Sequence, residues 1–148
     1  ASVREVGDLA AAARVRLAVE FNSQAEQLNS LERIREVLAM AAHPSCGLLL
    51  DTYHLERSGS RPRDLEDVAP SEISYVQYSD VPRSAGPGEI MPRLAPGLGT
   101  VPFKEWFGAM AAKGYEGYLS YEAPDPAAWA RPADEVARQA LTATRAFL

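Results

Sequence analysis

Three carboxylates and one amide occupy comparable places in this chain, each at the polar end of a short β-rich run. Glu20 comes at the end of the run 15–21, Asp51 stops the apolar stretch Gly47-Leu48-Leu49-Leu50, Gln77 lies near the end of 73–80, and Glu122 ends 117–122. Any one of them is accounted for by a strand that turns polar as it surfaces; four together point to a shared rim. Three carboxylates brought together repel and lift one another's pKa unless a cation lies between them. Two Glu, one Asp and one amide carbonyl form a hard, all-oxygen donor set, which suits Mg²⁺ or Mn²⁺ better than a structural zinc and stays open to substrate oxygens. His54 follows three residues after Asp51. A carboxylate at the end of a buried strand with an imidazole in the next loop is where α/β barrels and open parallel sheets place their chemistry. The plainer alternative is that Asp51 caps the segment after it and His54 is a loop residue.

The elements that must position these groups follow from periodicity. Residues 4 to 13 favour helix by propensity. After the strand 15–21, Leu28, Leu31, Ile34, Val37, Leu38 and Ala41 recur at helical spacing, with Asn29 and Glu32 placed as a capping box. That helix should end near His43-Pro44, which makes His43 a C-terminal, partly solvated histidine and not a ligand. The strand 46–51 reads as buried on both faces; a polar stretch 56–63 and a helical turn at 64–68 lead to the strand 73–80. Val81 to Gly99 carries four Pro and four Gly, and a loop of this length in a compact domain is usually functional, with Arg83, Glu89 and Arg93 as its candidate working groups. Thr100 is placed as an N-cap for a helix with Phe103, Trp106, Phe107 and Met110 on one face and Gly114 at its end. After the strand 117–122, Pro132 suits the first turn of a last helix with Val136, Ala140, Leu141, Thr144 and Phe147 inward. The order is α and then four βα units, hence a continuous parallel sheet with helices outside and, within 1–148, one partial barrel domain. A closed eight-stranded barrel takes about 250 residues, so four units amount to roughly half of one, with open edges and an uncovered inner face.

Composition narrows the class further. The 148 residues are 47% hydrophobic and 24% charged, and 15 basic against 20 acidic residues give a net charge of −5. Interspersed signs argue against a nucleic-acid footprint and for a small-molecule or protein partner. A single cysteine, Cys46, excludes an internal disulfide and a cysteine-built metal site. With no signal peptide and no apolar run long enough for a membrane span, a cytoplasmic location is the default expectation. The start without Met implies a processed, trimmed or fragmentary N-terminus.

The strings Ala18-Val19-Glu20, Leu50-Asp51-Thr52-Tyr53-His54, Val76-Gln77-Tyr78-Ser79-Asp80, Arg93-Leu94-Ala95-Pro96-Gly97-Leu98-Gly99 and Gly114 through Glu122 together resemble the C-terminal half of the xylose-isomerase-like TIM barrels, the sugar phosphate isomerase/epimerase superfamily. The resemblance implies that Glu20, Asp51, Gln77 and Glu122 are the metal ligands, that His54 and Arg93 contact substrate, and that Arg83 is a rival for the arginine role. A glutamine at the third ligand position is similar to the hydroxypyruvate isomerase and 3-dehydroshikimate dehydratase branches. Leu98 departs from the polar residue often found at its place in the motif. The implied chemistry is an enediolate formed beside a carbonyl, with Glu20 and Glu122 taking and returning the proton, which gives an isomerase or epimerase. Loss of a β-hydroxyl from the same carbanion gives a dehydratase instead. A third reading is an inactive half barrel serving assembly or binding. Self-association, or association with a missing N-terminal half, is expected under each.

Overall fold

Apolar runs of three to six residues alternate with amphipathic segments, and the parallel sheet that results is held by helices on one of its faces. The computed structural model describes residues 2–83 and 92–148. Helix α1 (Ser2–Ala12) precedes strand β1 (Leu17–Val19). Helix α2 (Leu31–Ala41) returns the chain to strand β2 (Cys46–Asp51). A short helix α3 (Thr52–Arg57) and two 3-10 turns, Pro62–Leu65 and Pro70–Glu72, then lead to strand β3 (Ile73–Tyr78). Helix α4 (Phe103–Ala112) connects to strand β4 (Leu119–Tyr121), and α5 (Pro126–Trp129) and α6 (Ala133–Arg145) complete the order. The strands pair in sequence order, all parallel.

Packing explains which strand face is covered. Leu48, Leu50 and Val76 are fully buried and Tyr78 nearly so, and they share one core with Ile34 of α2 and Phe103, Trp106, Phe107 and Met110 of α4. Burying one such side chain fully contributes about 1.5–3 kcal/mol, so this layer fixes the sheet against its helices. Tyr78 meets Phe107 edge-on at 5.6 Å, and its hydroxyl bonds Thr144 Oγ1 at 2.8 Å, tying α6 to β3. The opposite sheet face is less covered: Leu49, Tyr75 and Ser120 are only partly buried. β2 is thus more completely covered on its Leu48 and Leu50 face than on the other, where Leu49 is partly exposed while Gly47 and Asp51 are buried. No helix among them is long and apolar enough to cross a membrane.

Local chemistry moves several boundaries from their sequence expectations. β1 and β4 are shorter than 15–21 and 117–122, and β3 stops at Tyr78, leaving Asp80 in a separate antiparallel bridge with Leu94. The N-cap of α2 is Ser30, whose side chain accepts from Arg33 N, and not the Asn29–Glu32 pair. Pro102 and not Thr100 starts α4; both the backbone N–H and the hydroxyl of Thr100 are spent on Val81 O. The turn expected at 64–68 forms at Pro62–Leu65, where Asp64 accepts from Arg61 N. Leu141 is 49% exposed, so α6 packs through Ala140 and Thr144. His43 sits just past the end of α2, paired with Asp8 at 3.2 Å.

Candidate functional site

Side chains alternate across a strand, so the residues two apart from partly exposed Leu49, Tyr75 and Ser120 project from the same open face. These are Asp51, Gln77 and Glu122, and register sets them side by side, since Asp51 pairs with Gln77 and Gln77 with Ser120. Glu20 follows β1 at the same end. Asp51 is fully buried and does two things at once. Its Oδ1 accepts from Tyr53 N at 2.9 Å, which makes it the N-cap of α3, while Oδ2 faces the rim. The cap reading and the rim reading are thus satisfied by different oxygens of one carboxylate. Thr52 Oγ1 donates to Ser79 O at 3.1 Å and locks the ends of β2 and β3 together.

The rim is electrostatically loaded. Glu20 Oε1 lies 3.8 Å from His54 Nε2, and Glu20, Asp51 and His54 each place one potential ligand atom within 4.8 Å of the others. Gln77 Nε2 donates to Glu122 Oε1 at 3.2 Å. Burial, then the charges of Asp51 and Glu122, raise the Glu20 pKa to about 7. Burial also raises Asp51, against the pull of Arg93. For His54, burial first and the Arg93 charge second push the pKa down to about 4, so the ring is neutral. Its Nδ1 accepts from the Ser23 backbone N–H at 3.2 Å and sits 2.9 Å from Ser23 Oγ. The other nitrogen, Nε2, faces the rim, 3.8 Å from Glu20 Oε1 and 3.3 Å from Arg93 Nη2, and with the hydrogen on Nε2 His54 is a donor toward the carboxylates.

Arg93 reaches into the centre. Its Nη1 lies 2.5 Å from Asp51 Oδ2, 3.1 Å from Glu122 Oε2 and 3.2 Å from Ser79 Oγ, and its guanidinium stacks 4.3 Å from the Tyr53 ring centroid. What brings it there is Asp80. This buried carboxylate accepts from four backbone N–H groups, those of Val81 and Val101 on Oδ1 and those of Gly97 and Gly99 on Oδ2, all at 2.8–2.9 Å. Its own backbone exchanges two hydrogen bonds with Leu94, the neighbour of Arg93. Gly99 is required by this approach: a Cβ there would stand 2.0 Å from Val81 O. Gly97 holds φ at +87°, a region open to glycine.

Of the residues singled out from sequence, Glu20, Asp51, His54, Gln77, Arg93 and Glu122 come together. Arg83 does not. It is exposed, and among the described residues no hydrogen bond or ion pair holds it to the cluster. Glu89 lies outside the described residues. Ser23, Tyr53, Ser79 and Asp80 were not singled out as site residues; the Pro96-Gly97-Leu98-Gly99 turn opposite an acidic strand end was the available signal for Asp80. Two features fit a cation at the rim. Burial and, after it, the neighbouring carboxylates lift Glu20 toward neutrality, and Gln77 Oε1 is a buried acceptor with no hydrogen-bond partner among the described residues.

Comparison with known proteins agrees with this architecture. The chain is 27% identical over 125 residues to a 3-dehydroshikimate dehydratase of Pseudomonas aeruginosa, covering 81% of this chain but 19% of that protein. It therefore spans about a fifth of the length of the curated relatives it matches. Among solved structures, the IOLI protein with a bound zinc atom superposes with a TM-score of 0.85 at 23% identity, over 96% of this chain and 52% of that one. D-psicose 3-epimerase from Clostridium cellulolyticum H10 superposes with a TM-score of 0.77 at 23% identity, over 99% and 54%. At that identity the likeness is one of fold, and the chain spans about half of each barrel. The family model for the xylose isomerase-like TIM barrel matches residues 1–147, and the chain belongs to that family.

Proposed function

We propose that this chain carries the acid–base rim of a divalent-metal-dependent isomerase or epimerase that acts on a small polyhydroxy carbonyl compound through an enediolate. The observation that carries the reading is the convergence of Glu20, Asp51, Gln77 and Glu122 at one end of a parallel sheet, with Glu20 lifted to about 7. A carboxylate placed beside the ion and the bound carbonyl is positioned to take a proton from carbon and give it back. Mn²⁺ or Mg²⁺ would be held by these four side chains, with Gln77 Oε1 as the amide ligand, and zinc, bound in the similar IOLI structure, is the third ion to compare. The ion would supply polarisation of the substrate carbonyl.

The remaining steps belong to the protein. Glu20 takes the proton beside the carbonyl, and Glu122, across the rim, returns one. The Nε2–H of His54 donates to a substrate hydroxyl, held in that orientation by Ser23. Arg93 offers a fork to an anionic group. The test is a proton-exchange assay: with Mg²⁺ present, a ketose panel in deuterium oxide should gain deuterium beside the carbonyl. Glu122→Gln should lower that exchange by about 10²-fold or more, the size of a lost acid–base group. Unchanged exchange rejects the role of Glu122.

A second reading is favoured by the 27% identical dehydratase relative: a lyase of the 3-dehydroshikimate dehydratase type. Proton abstraction by the same carboxylate would be followed by loss of a β-hydroxyl, which leaves as water on receiving the proton that carboxylate took, while the neutral His54 hydrogen-bonds the departing oxygen. Ultraviolet absorbance from a conjugated product, formed from 3-dehydroshikimate without deuterium-labelled ketose, selects it. An inactive binding module predicts neither signal.

A further inference from the structure

Arg93 holds the place in the rim where a second cation meets the most resistance. Both oxygens of Asp51 are engaged: Oδ1 serves the N-terminus of α3 and Oδ2 lies 2.5 Å from Arg93 Nη1. The same Nη1 stands 3.1 Å from Glu122 Oε2 and also reaches Glu122 O and Ser79 Oγ. Two of the three carboxylates placed as ligands, Asp51 and Glu122, therefore already share the charge of one half-buried guanidinium, whose side chain is 14% exposed. A divalent ion brought against these oxygens would face a positive charge at the next atom, in a region where charge–charge terms are weakly screened. Nη2 also lies 3.3 Å from His54 Nε2, so the guanidinium stands between that ring nitrogen and the rim.

We infer that Arg93 is a built-in counter-cation of the rim: its guanidinium and a divalent ion are alternative partners of Asp51 and Glu122, and ion binding releases Arg93 toward the open face. The inference rests on the metal reading of the preceding section and adds to it an exchange of cations. It accounts for how a fully buried carboxylate and its neighbours are held in place before an ion arrives. It also makes Arg93 a positioning residue in one state and a free anion-binding group in the other. The Asp80-pinned backbone at Leu94 leaves the side chain as the part that moves, and its stack on Tyr53 is given up with the carboxylates.

The test is Mn²⁺ titration of the full chain, followed by electron paramagnetic resonance of free Mn²⁺, for the wild type and Arg93→Met. Competition predicts that the variant binds Mn²⁺ on the order of tenfold tighter, because the ion no longer displaces a bound partner. Equal or weaker binding by the variant overturns the inference while leaving the metal reading intact. Absence of Mn²⁺ binding in both proteins overturns both. Should Arg93→Met not fold, the wild type alone decides. Side-chain ¹⁵N resonances of Arg93 should shift and lose their restricted-rotation signature on saturation with Mg²⁺, and resonances unmoved at saturation overturn the exchange.

Discussion

Glu20 and His54 sit 3.8 Å apart, yet their charge states pull stability in opposite directions with pH. Glu20 has a folded pKa of about 7 against an ordinary 4.5, so the folded state binds the proton more tightly, and stability falls as pH rises through that window. Asp51, also raised, adds to the fall. His54 is at about 4 against 6.5, so the unfolded state binds the extra proton and stability rises with pH between those values. In metal-free protein, urea unfolding should give Glu20→Gln a more positive slope of stability against pH than the wild type between about 4.5 and about 6.5. His54→Gln should give a more negative one; parallel slopes in all three proteins reject the assignment. The side chains of this cluster were legible in the sequence where each ends a strand, because strand periodicity and parallel order dictate a common rim. The tautomer of His54 was not, since it depends on Ser23, distant in sequence and brought near by the turn after β1.

At the scale of elements, one side chain ties the end of β3 to the residues that lead into α4. The Asp80 carboxylate collects four backbone N–H groups, and a neutral amide in its place presents a donor to some of those donors. Asp80→Asn should therefore cost on the order of 3 kcal/mol in chemical unfolding, a loss too large for a solvated loop residue. A cost within ~0.5 kcal/mol, the range of surface substitutions, contradicts the anchoring role. The strands, α1, α2, α4 and α6 were readable from apolar spacing because burial at 3.6 or 2 residues leaves a direct imprint. Caps were harder. Ser30 displaced the Asn29–Glu32 pair and Thr100 turned to Val81, because a short polar side chain is served equally well by several nearby backbone groups. The Asp80 network was hidden for a related reason: its donors are backbone groups, which no residue type announces.

The whole molecule is a four-stranded parallel sheet with helices on one face and outer strands β1 and β4. Large apolar side chains remain exposed on the elements flanking both outer strands: Val6, Leu9 and Val15 beside β1, and Tyr118, Trp129, Leu141 and Leu148 around β4. Unpaired parallel edges beside apolar surface favour association. Sedimentation velocity of the isolated chain should show species larger than the monomer, whether through self-association or on addition of a segment supplying further barrel strands. A monodisperse monomer counts against it. The parallel order of the sheet was legible because βα alternation with right-handed crossovers dictates it, and the choice of a half barrel over an open sheet came from the motifs at the strand ends; which surfaces stay uncovered depends on tertiary packing that spacing does not encode. The bridge between Asp80 and Leu94 carries a further consequence for how such a scaffold diversifies. It fastens the described chain on either side of residues 84–91, and the cost of closing a segment between fixed ends grows only slowly with its length. Lengthening or shortening the chain between those ends therefore leaves the arginine beside them where it is, and makes this the position at which new substrate-facing sequence is most cheaply grafted onto an unchanged rim.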